Sequence, residues 1–278
     1  MAIRDTAFIR TGDGTRLYVK DWGTGRPVVL IHGWPLDADM WEHQMPALAE
    51  AGYRVVAYDR RGFGRSDQPW TGYDYDTFAD DLKAVLDGLD LQDVALVGFS
   101  MGGGEIARYM SRHAGARVTK AVLVSAVTPY MLKSGDNPDG VDGGVFQGMI
   151  DGLRKDRPAF LANFAKTFFG AGVFHSPVSA ETMTWAGNLA MLASPKATTA
   201  CVTAFGTTDF RGDMTHFRVP TLVIHGDDDQ TVPIDVSGKV AAAAIPGATL
   251  VVYEGAPHAV PFTHAERLNA DLLAFLKG

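Results

Sequence analysis

Five short apolar runs punctuate the chain. They are Val28-Val29-Leu30-Ile31, Val55-Val56-Ala57-Tyr58, Val94-Ala95-Leu96-Val97, Ala121-Val122-Leu123-Val124 and Leu222-Val223-Ile224. Each is of strand length and rich in β-branched residues, and none alternates with polar positions. A strand reads as continuously apolar when both faces of its sheet are covered, as in a parallel sheet. Between the runs the period changes to that of a helix. Over residues 76–89, Phe78, Leu82, Val85, Leu86 and Leu89 recur on one helical face, with Asp76 placed as the N-cap. Further helices are expected after Ser100, carrying Ile106, Ala107 and Met110, and over 235–244 and 264–276.

Strands alternating with helices imply a doubly wound, mostly parallel sheet with helices on both faces. The opening differs. Residues 6–11 and 16–22 flank Gly12-Asp13-Gly14, a hairpin signal, so an antiparallel pair is expected at the sheet edge. The alternation lapses over about 128–214. Residues 135–144 are rich in Gly, Asp and Asn and read as loop. Phe160, Phe164, Phe168, Phe169, Met183, Trp185 and Met191 follow on helical segments. The expectation is one domain, with a core of 1–127 and 215–278 and a helical cap insertion at 128–214. An aromatic and methionine stripe is more often core than substrate wall. A cap must bury one face on the main domain, however, so part of it can line a pocket.

Composition narrows the partners. Of 278 residues 46% are apolar, enough for a core on both sheet faces. The net charge of −7, with only Arg60-Arg61 and Arg65 as a basic cluster, argues against nucleic acid and anionic membrane. Cys201 is the only cysteine, so no intrachain disulfide forms, and it reads as a small buried hydrophobe. The opening Met1-Ala2-Ile3-Arg4-Asp5-Thr6 lacks the apolar core of a signal peptide. No apolar run approaches the roughly 20 residues of a membrane span. A cytoplasmic, soluble protein is expected.

The sharpest chemical signal is Gly98-Phe99-Ser100-Met101-Gly102, which follows a strand run and precedes a helical pattern. That context is what a nucleophile elbow requires. The turn aims Ser100 Oγ out of the sheet and puts the Met101 N–H at a helix N-terminus, where it favours an oxyanion. A serine needs a base, and the base an orienting acid, in the chain order Ser, acid, His. His225-Gly226-Asp227-Asp228-Asp229 and Glu254-Gly255-Ala256-Pro257-His258 follow the last two strand runs, at carboxyl ends where such sheets form their sites. His258 is therefore the expected base, and one of the three aspartates its partner.

The other histidines rank lower. His32 follows a strand but precedes the serine in the chain. His43, His113, His175, His216 and His264 fall in loops or helices, and His225 reads as part of its turn. The second oxyanion donor should come from His32-Gly33-Trp34-Pro35. Pro35 has no N–H, so Trp34 is favoured. Asp59-Arg60-Arg61-Gly62-Phe63-Gly64-Arg65-Ser66 carries no expected catalytic role, because a turn carboxylate more often caps backbone N–H groups. No metal or dinucleotide motif is present, and the aspartates within 136–142 lack Ca²⁺ loop spacing. Neither cofactor nor metal is expected. Trp34, Phe99, Phe164, Phe168 and Trp185 are the candidate substrate-pocket residues. They suggest a compact apolar pocket for short acyl groups.

These motifs together resemble the α/β-hydrolase superfamily over nearly the whole chain. More narrowly, the chain is similar to bacterial arylesterases and cofactor-free haloperoxidases (perhydrolases), close to γ-lactam hydrolases. The resemblance rests on His32-Gly33-Trp34-Pro35, on the Tyr-Asp-Arg-Arg-Gly-Phe-Gly core of 58–64, on residues 72–78 and 97–102, and on the two late clusters. It implies Asp229 as the acid, from the pattern Gly226, Asp229, Pro233. Asp227 and Asp228 are second choices. It also implies Trp34 and Met101 as oxyanion donors. The implied activity is hydrolysis of short-chain or aryl carboxylic esters through an acyl-enzyme on Ser100, with hydrogen peroxide as an alternative acceptor. Lactam or amide hydrolysis by the same triad is the alternative. A non-catalytic ligand-binding protein is a weaker one, since such proteins have usually lost a triad member. A homo-oligomer, trimer or hexamer, is implied by the same resemblance.

Overall fold

The computed structural model describes residues 7–172 and 175–278. The strands are β1 (Phe8–Arg10), β2 (Arg16–Trp22), β3 (Pro27–Ile31), β4 (Arg54–Tyr58), β5 (Val94–Phe99), β6 (Val118–Val124), β7 (Thr221–Gly226) and β8 (Thr249–Tyr253). They form one sheet in the order β1-β2-β4-β3-β5-β6-β7-β8. β1 pairs antiparallel with β2, and β2 with β4, while all later pairs are parallel. The antiparallel edge expected from the hairpin signal is present, though Thr6, its expected first residue, lies outside the described residues. Every residue of β5 and β7 is buried, as their unbroken apolar runs require of strands covered on both faces.

The helices are α1 (Gln44–Glu50), α2 (Tyr75–Gly88), α3 (Met101–Arg112), α4 (Gly143–Phe169), α5 (Ala180–Leu192), α6 (Pro195–Thr207), α7 (Arg211–Met214), α8 (Gly238–Ala244), α9 (Val260–Thr263) and α10 (Ala265–Lys277). Two boundaries differ from expectation. Asp74, not Asp76, caps α2: its backbone is extended and its Oδ1 accepts from Thr77 N at 2.9 Å. Asp76 already lies in the first turn, where it pairs with Arg108 and Arg112. The helix expected over 235–244 is broken at Ser237 (φ −131°, ψ −91°) into a 3₁₀ turn, Ile234–Val236, and α8. The break lets Gly238 lie against the His225 ring, where a Cβ would stand 2.6 Å from Nδ1.

Between β6 and β7 the chain runs through α4, α5, α6 and α7. Helix α4 is kinked at Asp156 (φ −158°, ψ 88°), two residues before Pro158. Proline cannot donate into the helix, and Asp156 Oδ1 restarts it by accepting from Ala159 N at 3.0 Å. Among the described residues no helix is long and apolar enough to cross a membrane.

Candidate active site

β5 ends at Phe99 and α3 starts at Met101, so Ser100 alone forms the corner. It does so at φ 52° and ψ −116°, a backbone state that a non-glycine residue holds only when its surroundings impose it. The flanking glycines make the corner sterically possible. A Cβ on Gly98 would stand 2.5 Å from the Gly102 oxygen, and one on Gly102 would run into the Ile31 carbonyl oxygen at the end of β3. The corner is tied to the sheet by Ser100 N, which donates to Val124 O at 2.8 Å.

The loop after β8 brings His258 over this corner. His258 Nε2 lies 2.9 Å from Ser100 Oγ, and Nδ1 lies 2.6 Å from Asp229 Oδ2. A carboxylate only accepts, so Nδ1 carries the ring proton and Nε2 accepts from the serine hydroxyl. The rings of Phe99 and Phe168 flank the imidazole, with centroids at 5.0 and 5.3 Å. Asp229, in the loop after β7, accepts at Oδ1 from Thr231 N (2.9 Å) and Val232 N (2.7 Å). Burial pushes Asp229 toward its neutral form. The charge interaction with His258 and the hydrogen bonds from His225 and His258 outweigh it and hold the carboxyl well below its ordinary range. Asp227 and Asp228 are exposed and face elsewhere, Asp227 accepting from Gly255 N at 2.6 Å and Asp228 from Gln230 Nε2 at 3.0 Å.

Trp34 and Met101 border the serine from the β3 loop and the α3 N-terminus. Among the described residues neither N–H donates to a backbone carbonyl. The indole of Trp34 is fixed: its Nε1 donates to Thr198 O at 3.0 Å, and Phe164 and Phe205 pack edge-on at 5.2 and 5.7 Å. Gly33 must lack a side chain, because a Cβ there would stand 2.6 Å from the Phe99 ring and 3.0 Å from Ser100 Cβ.

His32 is a structural residue. Its Nε2 accepts from Arg60 N at 3.0 Å and its Nδ1 lies 3.0 Å from Gly33 O. Burial, reinforced by the Arg60 charge, holds its pKa well below the ordinary value and keeps it neutral. Beneath it, Arg60 and Glu105 form a fully buried ion pair at 2.8 Å, joined by the Tyr58 hydroxyl. Arg60 Nη2 also donates to His32 O at 3.0 Å, so the pair supports the loop carrying Trp34. Asp59 behaves as its turn position suggested, accepting from Ala38 N at 2.9 Å and Arg65 N at 2.7 Å. Cys201 is buried, and burial pushes its thiol up to about 12. Among the described residues no cluster of three or more His, Cys, Asp or Glu could hold a metal ion.

Ser100 and His258 open onto a cavity of about 410 Å³. Of the candidate pocket residues, Trp34 and Phe164 line it; Phe99, Phe168 and Trp185 do not. Phe99 is wedged between Trp41 and His258. Phe168 packs among Phe169, Phe262 and His258, and Trp185 packs on Phe262 at 6.1 Å. The walls are mostly apolar and include Met131, Val145, Phe146, Met149 and Phe205, which the sequence analysis did not single out. The signal available was the three-residue spacing of Phe146 and Met149, which puts them on one helical face. Nothing in that spacing says what the face looks upon.

An eight-stranded, mostly parallel sheet with a serine on a strained strand-to-helix corner defines the class. The sequence profile described as the alpha/beta hydrolase fold matches residues 26–265, and the chain belongs to that family. Within it, the chain is 49% identical to the non-heme chloroperoxidase CPO-A1 of Kitasatospora aureofaciens, over 96% of this chain and 98% of that one. It is 42% identical to the bifunctional esterase/perhydrolase DCH of Acinetobacter calcoaceticus, over 97% of this chain and 99% of that one. Among solved structures, the bromoperoxidase from Bacillus anthracis superposes with a TM-score of 0.94 at 50% identity, covering 98% of this chain and 99% of that chain. The narrower resemblance, to haloperoxidases and esterases with perhydrolase activity, is carried by these relatives.

Proposed function

We propose that the protein hydrolyses carboxylic esters through an acyl-enzyme on Ser100, and that hydrogen peroxide can replace water as the acyl acceptor. The observation that carries this reading is the continuous chain from Ser100 Oγ through His258 to Asp229, opening on an apolar cavity. Ser100 Oγ attacks the ester carbonyl as its proton passes to His258 Nε2. Asp229 holds the imidazole and stabilises its cation. The N–H groups of Trp34 and Met101 receive the tetrahedral oxyanion. The alcohol leaves with the proton from His258. Water, deprotonated by His258, then releases the acid, whereas peroxide releases a peracid able to oxidise halide. An esterase/perhydrolase relative supports the dual acceptor.

The cavity bears on the acyl group. A dry cavity of about 150 Å³ already accepts benzene. The 410 Å³ here has room beyond a short acyl or single aryl group. Hydrolysis of 4-nitrophenyl esters, acetate through octanoate, is therefore expected to persist to hexanoate, with peracetic acid forming from acetate and peroxide. No turnover of any ester would overturn the reading. Residues 128–214 act here as a cap on a core of 1–127 and 215–278. The family resemblance adds a homo-oligomer, trimer or hexamer, which light scattering in solution decides.

A further inference from the structure

His225, the penultimate residue of β7, has no exposed surface, and the mechanism above gives it no task. Its Nε2 lies 2.8 Å from Val232 O and 3.2 Å from Asp229 Oδ2. A carbonyl oxygen can only accept, so Nε2 carries the hydrogen and donates it to Val232 O, with Asp229 Oδ2 beside it at 3.2 Å. The other nitrogen, Nδ1, is buried without a partner, facing Gly238. Asp229 thus accepts two backbone N–H groups on Oδ1 and the His258 Nδ1 hydrogen on Oδ2, with His225 Nε2 lying against Oδ2 at 3.2 Å. The backbone pair fixes one oxygen but leaves the carboxylate plane free to tilt. The second histidine closes that freedom and directs Oδ2 at His258.

We infer that His225 is a positioning residue that holds Oδ2 of Asp229 on His258 Nδ1, making a four-membered line from Ser100 to His225. The fit of Gly238 against the ring is part of the device. A Cβ at 238 would stand 2.6 Å from His225 Nδ1, so any side chain there would displace the imidazole from its present place. The inference rests on the esterase reading of Ser100, His258 and Asp229.

The test uses ester hydrolysis by the full chain carrying His225→Leu, His225→Gln, Gly238→Ala or, as control, Ser100→Ala. Misplacing a catalytic group by about 1 Å costs up to about 100-fold in rate. His225→Leu is expected to lose about 10- to 100-fold in kcat with KM changed by less than about twofold, because substrate does not touch this residue. His225→Gln, whose amide N–H reaches the place of Nε2, should recover most of that loss. Gly238→Ala should reproduce the kcat loss with His225 intact, and it answers the question if His225→Leu fails to fold. Wild-type kcat in His225→Leu, or in Gly238→Ala, overturns the inference. So does a Gln variant no better than Leu. Undiminished hydrolysis by Ser100→Ala would instead overturn the esterase reading itself, so the two failures are distinct.

Discussion

Replacing Asp37 with asparagine should stabilise the protein, and by more as pH rises. Asp37 is fully buried in the loop after Trp34-Pro35. Its Oδ1 accepts from Asp39 N at 2.9 Å, while Oδ2 has no partner. Burial is the largest influence on it, followed by the carboxylate of Asp59. Against the Asp39 N–H and Arg65, these push its carboxyl from 3.8 up to about 7. The sign follows from proton counting. Between these two values the unfolded chain has released the proton and the folded chain keeps it, so stability falls as pH rises through that window and is level above it. At about 1.4 kcal/mol per pH unit, the raised pKa of Asp37 costs the fold about 1.5 kcal/mol at pH 5 and about 4 kcal/mol at pH 8. Asparagine keeps the Oδ1 acceptor and cannot ionise. Other carboxylates contribute slopes common to both proteins, so the difference between them is the readout. Urea unfolding followed by tryptophan fluorescence should show the variant's advantage widening by about 2.5 kcal/mol from pH 5 to pH 8. An advantage that stays constant or narrows would refute the reasoning.

Gly102→Ala gains roughly 0.5–1 kcal/mol of helix propensity but drives a methyl into the Ile31 carbonyl, a backbone clash costing about 1–3 kcal/mol. Because Ile31 leads directly into His32-Gly33-Trp34, kcat should fall by about 10- to 100-fold, and a variant with wild-type kcat would show that the close approach is dispensable. Glu105→Ala leaves Arg60 charged and buried without its partner. It should cost about 3–5 kcal/mol, read as a Tm lowered by on the order of 10 °C, and an unchanged Tm would mean the pair does not stabilise the fold.

The sheet was legible because burial on both faces leaves a direct mark, an unbroken apolar run. The Ser100 corner was legible because its glycines are demanded by backbone contacts within a few residues of sequence. Asp229 was harder. Three adjacent aspartates share one composition, and only the fold distinguishes the buried one from its two exposed neighbours; the family pattern supplied what local physics did not. The pocket wall was legible only in part. A helical stripe such as Phe160, Phe164 and Phe168 tells which side chains share a face. The kink at Asp156 and the packing of Phe168 on His258 decide which of them reach the cavity. The role of His225 was hidden for a similar reason, since its contact with Asp229 depends on how the turn between them closes.

The most direct test of the account compares wild type with Ser100→Ala, each at the same concentration, for hydrolysis of 4-nitrophenyl butyrate and for peracid formation from acetate and peroxide. Both activities should fall in the variant by about 10⁴- to 10⁶-fold, since both pass through the same acyl-serine. Either activity persisting at the wild-type rate would contradict it.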